Sequence, residues 1–335
     1  MKKKIKKYNV GIVGVGNTGS QHLKFYLKSD LVKKVFAYDL KKINQINKNK
    51  LVIDKNLKKF SKEKGKKILS ISNYDSDHWR YVKRYFKYNH IFVEKPMCRN
   101  FSQLNNIYKF CKKNNYKNLI TSNLVLRSAD LFNKIKTQIK NGEFGEIFYF
   151  EADYLYGRIF KLRKGWRGSD RNYSVTLGGG IHLIDLMISF FNQVPEYVES
   201  HANKIATKKD KFSFKDFCQS NFFFKNGAIA KITSNFGCVH NHQHVIKIYG
   251  SKKTFIYDDN GARIFNKYDP SSSKKIKIKN LYSGKDCLLP EFFKSIDDEK
   301  RKKSKILKEI NLMSVAISSD MSLKKNKKIK IKKYL

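Results

Sequence analysis

Val10-Gly11-Ile12-Val13-Gly14-Val15-Gly16-Asn17-Thr18-Gly19 reads as an apolar strand running into a Gly-x-Gly-x-x-Gly turn, and Gln21–Lys28 behind it reads as a helix. In such a turn Gly14 permits the tight bend, Gly16 lets the backbone approach a pyrophosphate, and Gly19 lets helix and strand pack closely. The backbone N–H groups at the helix start, around Asn17 and Thr18, then face the phosphate charge. Asp39 ends the next strand, 25 positions past Gly14. A carboxylate there grips the adenosine ribose hydroxyls and repels a 2′-phosphate, so NAD is favoured over NADP, although Lys41 and Lys42 weaken that preference. The plain alternative is a glycine turn in another doubly wound sheet, with Asp39 as a helix cap.

Outward from this turn, short apolar runs at Asn9–Val13, Lys34–Tyr38, Ile68–Ser72, His90–Val93 and Asn118–Ser122 alternate with helical segments, the pattern of a parallel sheet covered on both faces. Ligands of such sheets lie at the carboxyl ends of the strands. That places Ser72, Asn73 and His78 near the nicotinamide side of a cofactor; an Asx turn with Ser76 or Asp77 capping the next helix explains the same residues without a ligand. The following strand ends in Phe92-Val93-Glu94-Lys95-Pro96. Lys95 is thereby set apart from the solvated lysines, because an apolar strand delivers it and a proline restricts the backbone behind it.

The chain has 335 residues, 41% of them hydrophobic and 14% aromatic, enough for real cores in two domains or one large one. Its formal charge of +43 would attract polyanions, but lysine is spread over the whole length rather than gathered in a stripe, which argues against specific nucleic-acid binding. Cys98, Cys111, Cys218, Cys238 and Cys287 are odd in number and without a CxxC pair, as suits reduced thiols in a cytoplasm and no metal site. No apolar run approaches the ~18 residues of a membrane span, and the basic start followed by Val10–Val15 is too short for a signal peptide.

The chain resembles the glucose-fructose oxidoreductase / inositol dehydrogenase / MocA-like (Gfo/Idh/MocA) family over essentially its full length. The resemblance rests on the glycine turn, Glu94-Lys95-Pro96, Arg127 after Asn123-Leu124-Val125-Leu126, Gly142-Glu143-Phe144-Gly145-Glu146-Ile147, and Gly178-Gly179-Gly180-Ile181-His182-Leu183-Ile184-Asp185. It implies an α/β protein: a doubly wound NAD(P)-binding Rossmann domain over residues 1–122, then an α+β domain over 123–335. That second domain would be built on a large, open, mostly antiparallel sheet carrying the substrate and the contacts of a homo-oligomer, dimer or tetramer. Glu94, Lys95 and Asn123 are expected at the cofactor and Arg127 at the substrate, with Glu94 either a ribose or backbone anchor or simply the end of a strand. In the second half, Ile147–Tyr154, Asn221–Phe224, Ala228–Ser234 and His244–Tyr249 are strand-like on their own pattern. Lys274–Lys279 and Lys327–Lys332 alternate Ile with Lys, as solvated edge strands do. Helices are expected at Ala129–Lys140, Ile181–Phe191, Glu291–Ile296 and Ser304–Ser318.

The Ile181–Phe191 helix is apolar on nearly every face, with His182, Asp185 and Ser189 as its polar exceptions on one side. A polar stripe on a buried helix needs partners or a wet cavity; His182 and Asp185 satisfying one another in a core is the bland reading. The glycine triplet before it is either a flexible turn or an approach to backbone N–H groups. With the cofactor motif, the stripe points to hydride transfer. His182 removes the hydroxyl proton, Lys95 stabilises the developing alkoxide, and Asp185 orients His182 or holds a neighbouring hydroxyl. Many relatives carry an aspartate four residues before the histidine; here that residue is Gly178, which disfavours inositol itself and leaves a Lys–His pair.

Only ten of the 71 basic residues are arginine, and four of these, Arg158, Arg163, Arg167 and Arg171, fall within 14 residues. Arginine suits bidentate recognition of carboxylate or phosphate, so Arg158 and Arg167, with Trp166 and Tyr173, are expected to grip an anionic group, unless this is a basic surface loop. The leading expectation is a cytoplasmic NAD(P)-dependent dehydrogenase of a sugar derivative, with a nucleotide-linked sugar or uronate in surface-polysaccharide synthesis as the expected class. A reductase of a small carbonyl or imine, and a non-catalytic NAD-binding regulator, are the competing readings.

Overall fold

The computed structural model describes residues 7–43, 49–266, 273–278 and 281–335. The chain forms two compact units: one takes the chain up to Val125 and again Ser283–Ile310, the other Leu126–Tyr282 and Asn311–Leu335. The 123–335 segment is therefore not one continuous second domain, because a stretch near the end returns to the first unit.

In the first unit the order is β1 (Tyr8–Val13), α1 (Asn17–Lys28), β2 (Val32–Tyr38), β3 (Leu51–Ile53), α2 (Lys58–Lys62), β4 (Lys67–Ile71), α3 (His78–Tyr85), β5 (His90–Val93), α4 (Phe101–Lys113) and β6 (Ile120–Ser122). The six strands pair in the order β3-β2-β1-β4-β5-β6. All are parallel. β1 is buried along its whole length, as expected of a central strand covered on both faces. β3 is the short edge strand that the sequence pattern passed over.

The second unit begins with α5 (Asp130–Lys140), β7 (Ile147–Leu155), α6 (Phe160–Arg163), α7 (Trp166–Ser169), α8 (Ile181–Phe191), β8 (Tyr197–Asn203), β9 (Phe217–Phe223) and β10 (Ile229–Asn235). It continues with β11 (Gln243–Gly250), β12 (Thr254–Asp258), β13 (Gly261–Phe265) and β14 (Lys274–Ile276). Among the described residues its sheet has nine strands, ordered β14-β13-β12-β11-β7-β10-β9-β8-β15, where β15 is Ile329–Lys330. Among the described residues only β7 and β10 pair in parallel. The two Ile/Lys-alternating strands, β14 and β15, lie at opposite edges, where lysine discourages further pairing. Lys279 lies outside the described residues.

Between these come α9 (Leu289–Asp297) and α10 (Glu299–Lys325). α9 belongs to the first unit because its aromatic face is buried there. Phe293 meets the rings of Tyr8 at 5.6 Å and Tyr26 at 6.2 Å, and Phe292 meets Phe92 at 5.2 Å. Burying each such side chain stabilises the unit by roughly 1.5–3 kcal/mol, which explains the return of the chain. Among the described residues no helix is long and apolar enough to cross a membrane.

Candidate active site

Gly14 takes φ +81°, and a Cβ there would meet the backbone of Asn73 at 2.6 Å, so only glycine makes this bend. A Cβ on Gly19 would collide with the Gly14 carbonyl oxygen, whereas one on Gly16 would meet nothing within 4 Å. Gly16 is also the residue before α1, and no side chain caps the helix there. The first-turn N–H groups around Asn17 and Thr18 therefore lie beside open space, the arrangement that receives a phosphate. Asp39 is aimed at the same turn: its two oxygens accept from the Val15 N–H at 2.5 Å and the Lys41 N–H at 2.8 Å. Each oxygen keeps a lone pair for a ribose hydroxyl.

Ser72 and His78 both make contacts within the protein beside this surface. The Ser72 hydroxyl donates to the Gly14 carbonyl at 2.7 Å. His78 is fully buried, with Nδ1 2.8 Å from the Pro96 carbonyl oxygen and Nε2 3.2 Å from that of Asn73. It ties the loop after β4 to the Glu94-Lys95-Pro96 turn. The Asn73 Oδ1 is buried without a protein donor.

At the end of β5 the Glu94 N–H still pairs with Ile71, so Lys95 leaves directly from the sheet edge where ligands of open α/β sheets lie. Asn123 is 1% exposed; its amide nitrogen lies 2.6 Å from Glu94 Oε1 and 2.7 Å from the Lys285 carbonyl oxygen, and its Oδ1 has no protein donor. His22, on α1, closes this network from Ser70 (3.0 Å) to the Lys285 carbonyl (3.1 Å). Burial lowers its pKa, against the opposite pull of Glu94, and so favours the neutral ring. Sequence reasoning missed both His22 and Lys285, which act through tertiary contacts.

In the second unit, α8 is buried against β7 and β10, and His182 is 7% exposed. Asp185 does not turn to His182 for its ion pair. Its two oxygens accept from Arg127 Nε at 2.8 Å and Arg127 Nη2 at 2.7 Å, a bidentate fork. The glycine triplet is neither a flexible turn nor an open helix start. Thr176–Gly180 form a buried π-helical turn leading into α8, and added Cβ atoms would collide with Tyr173 Oη at Gly178, the Tyr154 and Phe236 rings at Gly179, and Ser234 Oγ at Gly180.

His182 rests instead among rings. Tyr154 lies nearly parallel to it, 8° off at 6.4 Å, and His244 meets it edge-on at 6.2 Å. His242 meets His244 at 5.0 Å. The signal was present in the sequence as His240-Asn241-His242-Gln243-His244, whose alternation puts all three on one side of an extended chain.

The arginine-rich segment divides. Arg163 pairs with Asp210 at 2.9 Å, and Arg171 is exposed. The Arg167 guanidinium lies over Trp166 at 4.6 Å and donates from Nε to Tyr173 Oη at 3.1 Å. Arg158 lies over Tyr156 at 4.8 Å, with its Nε buried and without an acceptor. Both charges act on the Tyr154 hydroxyl; burial nonetheless raises its pKa, and the two arginines pull the other way. Among the described residues no His/Cys/Asp/Glu group could hold a metal ion.

Residues 8–121 match the model of the oxidoreductase family with an NAD-binding Rossmann fold, and residues 132–256 match that of the GFO/IDH/MocA C-terminal domain. No curated protein matched the sequence. Among solved structures, the chain is similar to myo-inositol 2-dehydrogenase from Lactobacillus plantarum, with TM-score 0.74, 17% identity and coverage of 98% of this chain and 100% of that one. Levoglucosan dehydrogenase in complex with NADH and L-sorbose gives 0.77 and 14%, covering 98% and 100%. Scyllo-inositol dehydrogenase from Lactobacillus casei, with NAD(H) and scyllo-inositol bound, gives 0.71 and 14%, covering 97% and 99%. With a Rossmann unit, an open and mostly antiparallel sheet, and both family models matched, the chain belongs to the Gfo/Idh/MocA family of NAD-binding oxidoreductases.

Proposed function

We propose that the protein transfers hydride between NAD and a secondary hydroxyl or ketone of a sugar derivative, with a nucleotide-linked sugar or uronate of surface-polysaccharide synthesis as its substrate class. The observation that carries this reading is a buried histidine, His182, held among stacked rings in a chain whose other unit bears an NAD-type turn. Sharing a fold with inositol and levoglucosan dehydrogenases is in keeping with a polyhydroxylated substrate. The proposal includes a cytoplasmic homo-oligomer.

Bound NAD supplies the hydride acceptor, or NADH the donor. The Gly14–Gly19 turn and Asp39 hold its pyrophosphate and ribose, and the Asn73 and Asn123 amide oxygens, buried without donors, are acceptors for its polar groups. Oxidation needs a base and a cation at one oxygen, and His182 and Lys95 are assigned these roles. The Arg127 fork fixes Asp185, whose remaining lone pairs can receive a substrate hydroxyl. Arg158, with a buried and unmatched N–H, supports an anionic substituent on the substrate.

The test is to purify the protein, assay co-purified NAD(H), and screen oxidation and reduction of that cofactor against free and nucleotide-linked sugars. Lys95→Ala and His182→Ala are expected to abolish turnover while cofactor binding survives. Turnover on small carbonyls or imines alone would replace the sugar assignment, and cofactor binding with no turnover on any of them would make the protein a regulator.

A further inference from the structure

Four of the eight histidines of the chain are His182, His240, His242 and His244. His244 lies on β11 directly opposite Tyr154 of β7 in the antiparallel register, so both project from the sheet face covered by α8. There the His244 ring packs edge-on against Tyr154 at 5.2 Å and His182 at 6.2 Å. His242, two residues before it, packs against His244 at 5.0 Å and Tyr154 at 5.3 Å. Exposure grades along the row: His182 and His244 are 7% and 8% exposed, His242 is half-buried, and the His240 side chain reaches 31%. His242 Nδ1 lies 3.1 Å from the Leu155 carbonyl oxygen, which fixes that nitrogen as the donor and leaves Nε2 as the basic one in the neutral ring. Beyond it, His240 pairs with Asp259 at 3.0 Å.

We propose that His244 and His242 carry protons between His182 and solvent. The inference rests on the reading of His182 as the base at the reacting hydroxyl. When a secondary alcohol gives its C–H hydride to NAD, its O–H proton passes to His182, then to His244 and His242, and leaves as a proton to water; reduction runs the same path inward. A base buried to this degree needs such a path, because its proton must be cleared once per turnover. Imidazoles serve because a ring can accept on one nitrogen and release from the other, as for His182 and His244, while His242, whose Nδ1 is tied to Leu155, takes up and gives up the proton at Nε2. The row shares its surroundings with Tyr154 and Tyr156, with Arg158 and Arg167, whose charges reach the Tyr154 hydroxyl, with Tyr282, and with the Asp185–Arg127 pair one turn along α8. Their net positive charge favours passage of a proton outward over its retention.

The test uses the full chain with histidine ¹⁵N-labelled. In a proton-sharing row, the imidazole titrations of His182, His244 and His242 are coupled, and His244→Phe, which keeps an aromatic ring in place, shifts the His182 titration midpoint. An unchanged His182 titration overturns the relay whatever the enzyme's substrate. On the substrate found by the sugar screen, His244→Phe and His242→Gln are expected to lower kcat about tenfold at low buffer concentration with KM little changed, and added imidazole to restore it. His242 lies at the half-buried end, so His242→Gln reads the relay even if His244→Phe folds poorly. A loss that imidazole does not restore makes the row packing only and overturns the proposal. Coupled titration in a protein without hydride transfer would sustain the proton path and reject the proposed function.

Discussion

The phenol of Tyr173 stands where a side chain on Gly178 would go: a Cβ at 178 would fall on Tyr173 Oη and lie 2.6 Å from its Cζ. Position 178 is one helical turn before His182, and the space beside it is filled by the Tyr173 hydroxyl, itself held by Arg167. Gly178→Ala is expected to cost about 1–3 kcal/mol through overpacking, seen as a fall in Tm. Combining it with Tyr173→Ala should cost less than the two single changes added together, because the clash is then gone. Strict additivity would show that the two residues do not compete for the space.

Gly16 and Gly19 are separable by the same steric test. Gly16→Ala meets open space, so Tm should be unchanged, while NAD affinity measured by NADH fluorescence falls about tenfold or more, ~1.4 kcal/mol. Gly19→Ala pushes on the Gly14 carbonyl and Ser72 Oγ and should lower Tm even without cofactor. Equal effects of both on Tm would contradict the open approach at Gly16.

The Arg127–Asp185 fork is partly shielded, with side-chain exposures of 29% and 13%. Arg127→Lys keeps the charge and loses the two parallel hydrogen bonds, so we expect destabilisation of about 1–2 kcal/mol, discounted for the exposed arginine. A double-mutant cycle with Asp185→Asn measures it; a coupling energy near zero would mean that the fork adds nothing to stability.

Burial, and behind it the charges of Lys302 and Lys66, lowers the His90 pKa to about 4. In the unfolded chain it titrates near 6.5. Between these values the unfolded state takes up a proton that the folded state refuses. Stability therefore falls as pH drops below about 6.5 and levels off below about 4, by up to ~3 kcal/mol. His90→Asn removes the titration and retains an acceptor for the Leu119 N–H, which His90 Nδ1 receives at 3.0 Å. Its Tm should depend less on pH across that window than wild type, and an identical acid limb would rule His90 out as the cause.

The sequence by itself determined what short-range sterics and period decide. Only glycine fits the bend at Gly14 and the contact at Gly19, so strand, turn and helix were legible there, as was Asp39 at the end of β2. An apolar run with a single polar stripe placed α8 at Ile181–Phe191, and Ile/Lys alternation marked the two edge strands of the second sheet. The tertiary structure decided what depends on distant parts of the chain meeting. Asp185 pairs with Arg127, 58 residues away. Lys285 comes back to Asn123 and His22 because α9 buries its phenylalanines in the first unit. His244 joins His182 only through the register of β11 on β7, in which a slip of one residue would have turned it to the other face. Local geometry is written in neighbouring residues, whereas these partners are chosen by register and burial, which no short stretch of the chain contains.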